Sequence, residues 1–141
     1  MTLPAAPPSL VCDTDAASFI LKDDPIRSLR YLRHLQGRSV VLPFPVLAEL
    51  RLGSELRNWG PARRARMDQF IQGCIVYYPD DRMCTLWASL VAALRRTGRQ
   101  IAPHDAWVAA TAIYLNVPLV THNAGHYQEV PDLQVLTEPD I

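Results

Sequence analysis

The sequence predicts one α/β domain, a three-layer α/β/α sandwich around a small parallel sheet, and three observations carry that reading. The chain has 141 residues, which suits one domain and leaves no room for a second. Its composition is 49% hydrophobic and 20% charged, enough to bury a core and too apolar for a disordered chain. Short apolar runs alternate with longer segments of helical period, and strands separated by helices pair in parallel with both faces covered.

Residues 1–8 form a Pro-rich stretch, expected to be a flexible tail before a domain at 9–141. Ser9-Leu10-Val11-Cys12 is a strand-length apolar run that stops at Asp13, a residue suited to N-cap the helix predicted over 14–21. Ala16, Ala17, Phe19 and Ile20 give that helix its apolar face. Pro25 opens a second helix, closed by Gly37, with Ile26, Leu29, Leu32 and Leu35 at helical spacing and Arg27, Arg30 and Arg33 on the solvated side. Residues 39–42 read as the second strand. Pro43-Phe44-Pro45 starts a third helix that buries Val46, Leu47, Leu50 and one of Leu52 or Leu56, and places Glu49 near its N-terminal end.

Gly60-Pro61 breaks the chain, and residues 62–72 form a basic amphipathic helix ending at Gly73. Residues 75–78 are the third strand. A long helix over 79–97 uses Leu86, Trp87, Leu90 and Leu94, and Ile101-Ala102 reads as a very short extended piece. Residues 103–116 form a further helix with Asp105 in its first turn, and residues 118–121 and 133–136 complete the strands. No apolar run approaches the roughly 18 residues needed to span a bilayer, and the start lacks the basic and apolar regions of a signal peptide. The cytoplasm is therefore the expected location, with no membrane association. Cys12, Cys74 and Cys84 match no zinc spacing and read as small buried hydrophobes in a reducing compartment.

Fourteen basic residues balance fourteen acidic ones, which argues against a generic basic nucleic-acid binder. The distribution is uneven. Residues 1–26 carry a net −3 and 67–141 a net −4, while 27–66 hold nine arginines against Glu49 and Glu55, a net +7. Thirteen of the fourteen basic residues are arginine, whose planar fork suits bidentate phosphate contacts, although genomic base composition produces the same bias.

In open parallel sheets the ligand site lies beyond the carboxyl ends of the strands. Three acids fall there: Asp13 after the first strand, Glu49 in the helix after the second, and Asp105 at the start of the helix before the fourth. Each alone reads equally as a helix-start acid. Converging on one edge, they repel one another, and burial raises the cost until a cation compensates. Oxygen-only ligands favour Mg²⁺ or Mn²⁺ over zinc, and such a site suits metal-assisted phosphodiester hydrolysis with no Ser, Cys or His nucleophile.

The segments Val11-Cys12-Asp13-Thr14-Asp15, Ala48-Glu49-Leu50, His104-Asp105-Ala106-Trp107-Val108-Ala109-Ala110-Thr111-Ala112 and Leu119-Val120-Thr121-His122-Asn123 occur in that order. Together they resemble the PIN domain, specifically the VapC toxins of bacterial toxin–antitoxin pairs, over nearly the whole chain after the tail. The resemblance implies an α/β/α sandwich with Mg²⁺- or Mn²⁺-dependent endoribonuclease activity on RNA. It also implies Asp13, Glu49 and Asp105 as metal-binding acids, with Thr121 and Asn123 organising the site. Asp15 falls where the family has a supporting Asn or Asp, and reads either as such a residue or as a helix-start acid. His126 stands where many members place a fourth acid; it can serve as a metal or phosphate contact or lie outside the site. The resemblance further implies a cognate antitoxin partner that blocks the acidic site, and a homodimer.

Other residues have two readings. Arg51, Arg57, Arg63, Arg64 and Arg66 either line a path for RNA or pair with acids. Trp59, Trp87 and Trp107 serve either as stacking platforms or as core and interface residues. His34 and His104 are expected at the surface. Alternatives to a toxin are a PIN nuclease that processes RNA without an antitoxin and a catalytically weak RNA-binding PIN domain. A receiver-like signalling domain would need a Lys near its fifth strand, and the sole Lys is Lys22.

Overall fold

The structure, a computed structural model, describes residues 8–22 and 24–138. All but the last residue of the predicted tail lies outside them. Five strands form one sheet in the order β3-β2-β1-β4-β5: β1 (Ser9–Cys12), β2 (Ser39–Pro43), β3 (Ile75–Tyr77), β4 (Leu119–Val120) and β5 (Val135–Leu136). All pairings are parallel, with Leu10 opposite Val40, Val11 opposite Leu119 and Val120 opposite Leu136. Six helices flank the sheet: α1 (Thr14–Leu21), α2 (Pro25–Leu35), α3 (Phe44–Leu56), α4 (Pro61–Gln72), α5 (Asp81–Arg96) and α6 (Pro103–Leu115). The expected sandwich is the observed one.

β1 sits at the centre because Leu10, Val11 and Cys12 are apolar in succession and wholly buried, as a strand covered on both faces requires. Its neighbours β2 and β4 bury Leu42, Leu119 and Val120 completely. α6 packs closely with Ala106, Ala109, Ala110 and Ala112, all at 0% exposure, because small side chains let the helix approach the sheet. Asn116 ends α6 in the left-handed conformation at φ 55°, a role asparagine tolerates better than most residues. No helix among the described residues is long and apolar enough to cross a membrane.

Several expectations are corrected. Ile101-Ala102 is no strand; Ala102 is the N-cap of α6. α2 buries Tyr31 and Leu35, while Ile26, Leu29 and Leu32 are 61%, 51% and 42% exposed. The reason is that α2 docks on α1 through Tyr31, whose ring stacks near Phe19 at 5.9 Å, so the aliphatic stripe turns outward. In α3, Val46 and Leu50 are buried and both Leu52 and Leu56 are exposed. In α5, Met83, Leu90, Val91 and Leu94 face inward, and Trp87 instead stacks on Trp107 of α6 at 4.8 Å. Cys12 is buried, with its thiol pushed well above its usual range by desolvation. Cys84 is exposed on the outer side of α5 and Cys74 is half-buried. His34 is no free surface residue: its Nε2 lies 3.5 Å from Glu138.

Candidate active site

The strand ends β1 and β4 and the N-termini of α1 and α6 bring polar side chains to one edge. Asp13 follows β1 directly, and its backbone N–H donates to Val120 at 3.1 Å, which fixes the residue against β4. Its Oδ1 accepts the Ala16 N–H at 3.0 Å as the N-cap of α1, and its Oδ2 accepts the Thr121 hydroxyl. The carboxyl is 3% exposed. Burial pushes its pKa from 3.8 up to about 7; the two hydrogen bonds pull the other way, and the charges of Asp15 and Asp105 add to the rise.

Asp105, in the first turn of α6, has two partners on the loop after β4. The Tyr127 hydroxyl donates to Oδ1 at 3.2 Å, and His126 Nδ1 stands 3.3 Å from Oδ2. Tyr127 is buried, and desolvation together with the Asp13 and Asp105 charges raises its phenol far above the usual range. It therefore remains a donor at any physiological pH. Asp15 accepts from Asn123 Nδ2, and the Asn123 N–H donates to Thr121 Oγ1 at 3.0 Å. Thr121 and Asn123 thus link the β4 loop to both α1 acids.

Glu49 reaches the site differently. Its Oε1 lies 3.1 Å from His104 Nδ1, and His104 Nε2 lies 3.4 Å from Thr14 Oγ1. A neutral imidazole satisfies both contacts by donating from Nδ1 and accepting at Nε2. His104 is accordingly half-buried and joins α1, α3 and α6, where the sequence suggested a surface histidine. Glu49 and Asp15 line one cleft of about 370 Å³ that extends to Arg57 and Trp59.

The acids therefore form one cluster at the sheet edge, Asp13, Asp15 and Asp105, with Glu49 on the neighbouring cleft wall. Among the described residues no three His, Cys, Asp or Glu side chains close around a common point as a ready-made metal cage. Mg²⁺ does not require one, since it keeps several waters and takes one or two carboxylates. The donor chemistry fits a hard divalent cation: oxygen ligands, negative charge and a buried carboxyl whose ionisation is unfavourable without a counter-charge.

The arginines divide. Arg51 pairs with Asp68 at 2.5 Å and Arg64 with Glu55 at 2.9 Å, and Arg64 also donates to the Trp59 and Ser54 carbonyls. Arg63 donates to the Leu21 carbonyl and lies over the Trp59 ring at 4.4 Å. Arg66 is exposed on α4. Of the five, Arg57 is the one in the cleft beside Asp15 and Glu49. Trp59 is 8% exposed and packs in the core. Tyr127 is the partner that the sequence reading missed; an aromatic following the loop histidine was its only signal.

The PIN domain family model matches residues 10–132. Ribonuclease VapC1 of Haemophilus influenzae (strain R2866) is 31% identical over 124 residues, covering 86% of this chain and 92% of that protein. Ribonuclease VapC4 of Mycobacterium tuberculosis is 33% identical over 111 residues, covering 77% and 81%. Among solved structures, VapBC-1 from nontypeable Haemophilus influenzae superposes with a TM-score of 0.75 at 26% identity, covering 92% of this chain and 97% of that one. VapBC2 from Rickettsia felis, bound to a DNA fragment from its promoter, shares the fold with a TM-score of 0.81 at 20% identity, covering 93% and 99%. With the match running from β1 past the Asp105 helix and the β4 loop, the chain belongs to the PIN domain family.

Proposed function

We propose that this protein is a metal-dependent endoribonuclease, acting in the cytoplasm as the toxin of a toxin–antitoxin pair. The observation that carries the reading is Asp13: a buried carboxyl, raised to about 7 and flanked by Asp15 and Asp105, on a fold whose named relatives are ribonucleases. A buried acid beside like charges is costly unless a cation uses it.

In this reading Asp13 and Asp105 hold Mg²⁺ or Mn²⁺, and Glu49 completes the site from the cleft side. The bound ion supplies a polarised phosphoryl group, a more acidic water and charge neutralisation at the leaving oxygen. The chain's own residues prepare those carboxylates. Thr121 aims Asp13 and Tyr127 aims Asp105, hydrogen bonds of the kind that keep ligands in one orientation. Asn123 holds Asp15 on the margin. Glu49, whose side chain is 45% exposed against 17% for Asp105, joins these acids from the solvent side with His104 holding its carboxylate.

The partner assignment rests on two observations. The matched structures include VapBC assemblies, and this chain exposes an aliphatic stripe on α2: Ile26, Leu29 and Leu32. Stripes of this kind mark protein interfaces, here for an antitoxin and for a second copy of the chain. A second reading, a catalytically weak RNA-binding PIN domain, is favoured by His126 standing against Asp105 in place of an acid.

Cleavage of a structured RNA panel with Mg²⁺ or Mn²⁺ tests the proposal, with Asp13→Ala and Asp105→Ala as controls. Metal-dependent cleavage lost in both variants supports it. Activity unchanged in both would remove the assignment, and RNA binding without cleavage would favour the second reading.

A further inference from the structure

The cleft beside Glu49 and Asp15 has features that the carboxylate cluster does not explain. Arg57, the C-cap of α3, lines it, yet its guanidinium has no ion pair or side-chain hydrogen bond among the described residues, unlike Arg51, Arg63 and Arg64. The guanidinium folds back over the preceding helical turn, where Gly53 leaves a notch: a Cβ there would stand 2.8 Å from Nη1. Glycine inside a helix is unfavourable, and an alanine at 53 would displace the flexible end of Arg57 from this position. Trp59, on the same cleft wall, is 8% exposed, and its indole Nε1 is buried without an acceptor. A donor of that kind waits for a partner or is lost to desolvation.

The lining thus combines the carboxylates Asp15 and Glu49, Arg57, and the apolar side chains Leu52, Leu56 and Trp59. A nucleotide matches this lining, with phosphate for Arg57 and a base face for the exposed Leu52 and Leu56. We infer that this cleft seats the RNA nucleotide flanking the scissile phosphate, with Arg57, held in the Gly53 notch, as the residue that positions its phosphate. This rests on the ribonuclease reading above. Arg57 is a positioning residue: it grips a phosphate away from the reacting one and sets where the strand lies on the acids.

The test uses the full chain and a fluorescein-labelled, single-stranded RNA of mixed sequence. Anisotropy is measured against salt with Ca²⁺ replacing Mg²⁺, and cleavage of the same RNA is followed in Mn²⁺. Loss of one phosphate contact on a single strand lowers the slope of log affinity against log salt by about 0.7. Arg57→Ala is expected to show that change, with roughly tenfold weaker binding at low salt and a raised KM at nearly constant kcat. Gly53→Ala keeps the charge but fills the notch. It is expected to weaken RNA binding while raising Tm by about 2–3 °C through helix propensity, a pairing that misfolding cannot produce. Arg51→Ala, whose guanidinium is engaged with Asp68, leaves the salt slope unchanged. Wild-type affinity and slope in both Arg57→Ala and Gly53→Ala overturn the inference, as does a loss confined to binding a C-terminal antitoxin peptide. Absent cleavage by the wild type with a lowered slope in Arg57→Ala would defeat the ribonuclease reading and leave the phosphate seat standing.

Discussion

Replacing Asp13 by Asn separates what the site costs the fold from what it does. Burial pushes the carboxyl from 3.8 up to about 7, which disfavours its ionised form in the fold by about 4 kcal/mol. The folded-state value is the raised one, so the fold prefers the neutral acid. Its stability contribution is intact below pH 4, declines as pH rises from about 4 to 7, and stays lost above. Asn is neutral throughout, and its oxygen still accepts the Ala16 N–H that caps α1. Its amide must face Thr121, whose hydroxyl then accepts and loses its own acceptor, costing about 1 kcal/mol. In EDTA at pH 8, Asp13→Asn is therefore expected to be about 2–3 kcal/mol more stable than wild type, a rise in Tm of about 8 °C. By pH 5 the advantage shrinks by about 2–3 kcal/mol, because the wild-type carboxyl is then protonated. Saturating Mn²⁺ stabilises the wild type and not the variant, and cleavage is abolished. Scanning calorimetry at both pH values decides: a variant no more stable at pH 8, or an advantage equal at pH 5 and 8, refutes the reasoning.

Three further outcomes follow from the same geometry. Tyr127→Phe removes the hydrogen bond to Asp105 while keeping the packing, so it should destabilise by about 1 kcal/mol and weaken Mn²⁺ binding roughly tenfold; calorimetric Mn²⁺ affinity equal to wild type would sink that role. His126→Asp restores an acid on the β4 loop and is expected to tighten binding of a second Mn²⁺ ion, and equal apparent affinity for that ion in a titration would exclude it. Leu29→Glu lies on an exposed stripe, so stability should stay within about 0.5 kcal/mol of wild type while co-purification with the antitoxin is lost; retained co-purification would place the antitoxin elsewhere.

How much of this was legible in the sequence depends on whether the signal was local. β1 and α1 were legible because three apolar residues followed by Asp13 specify strand, turn and cap within one short stretch. The nearness of Asp13 and Asp105 was legible because parallel topology alone delivers strand ends to one edge, whereas Glu49 stands on the neighbouring cleft wall, held by His104. α2 was misjudged because spacing defines a stripe without naming its partner: Ile26, Leu29 and Leu32 repeat as a core stripe would, yet Tyr31 and Leu35 make the tertiary contact. The pairings of His104 with Glu49 and of Tyr127 with Asp105 were illegible for a related reason. They join side chains from different elements, and no local pattern encodes a contact that exists only once the sheet has formed.

The zero net charge takes on a physical meaning once its members are placed. A protein that binds RNA through a general basic surface gains affinity from counterion release along the whole backbone, largely without regard to sequence. Here the +7 of residues 27–66 is partly withdrawn from that role: Arg51 is tied to Asp68, Arg64 to Glu55, Arg63 to a carbonyl and an indole, and Arg27 to Asp24. At the sheet edge the field is negative, and in the cleft Arg57 offsets only one of the two charges of Asp15 and Glu49. On the proposed ribonuclease reading, RNA would be repelled from the acids unless a divalent ion were bound, and diffuse attraction elsewhere would be weak. Affinity must come from a few contacts close to the scissile phosphate, where they also carry discrimination between strands. On that reading the domain would trade general RNA affinity for dependence on metal and local fit, so its salt slope should correspond to few phosphates even in the wild type. A steep slope would place the binding surface on the exposed arginines instead.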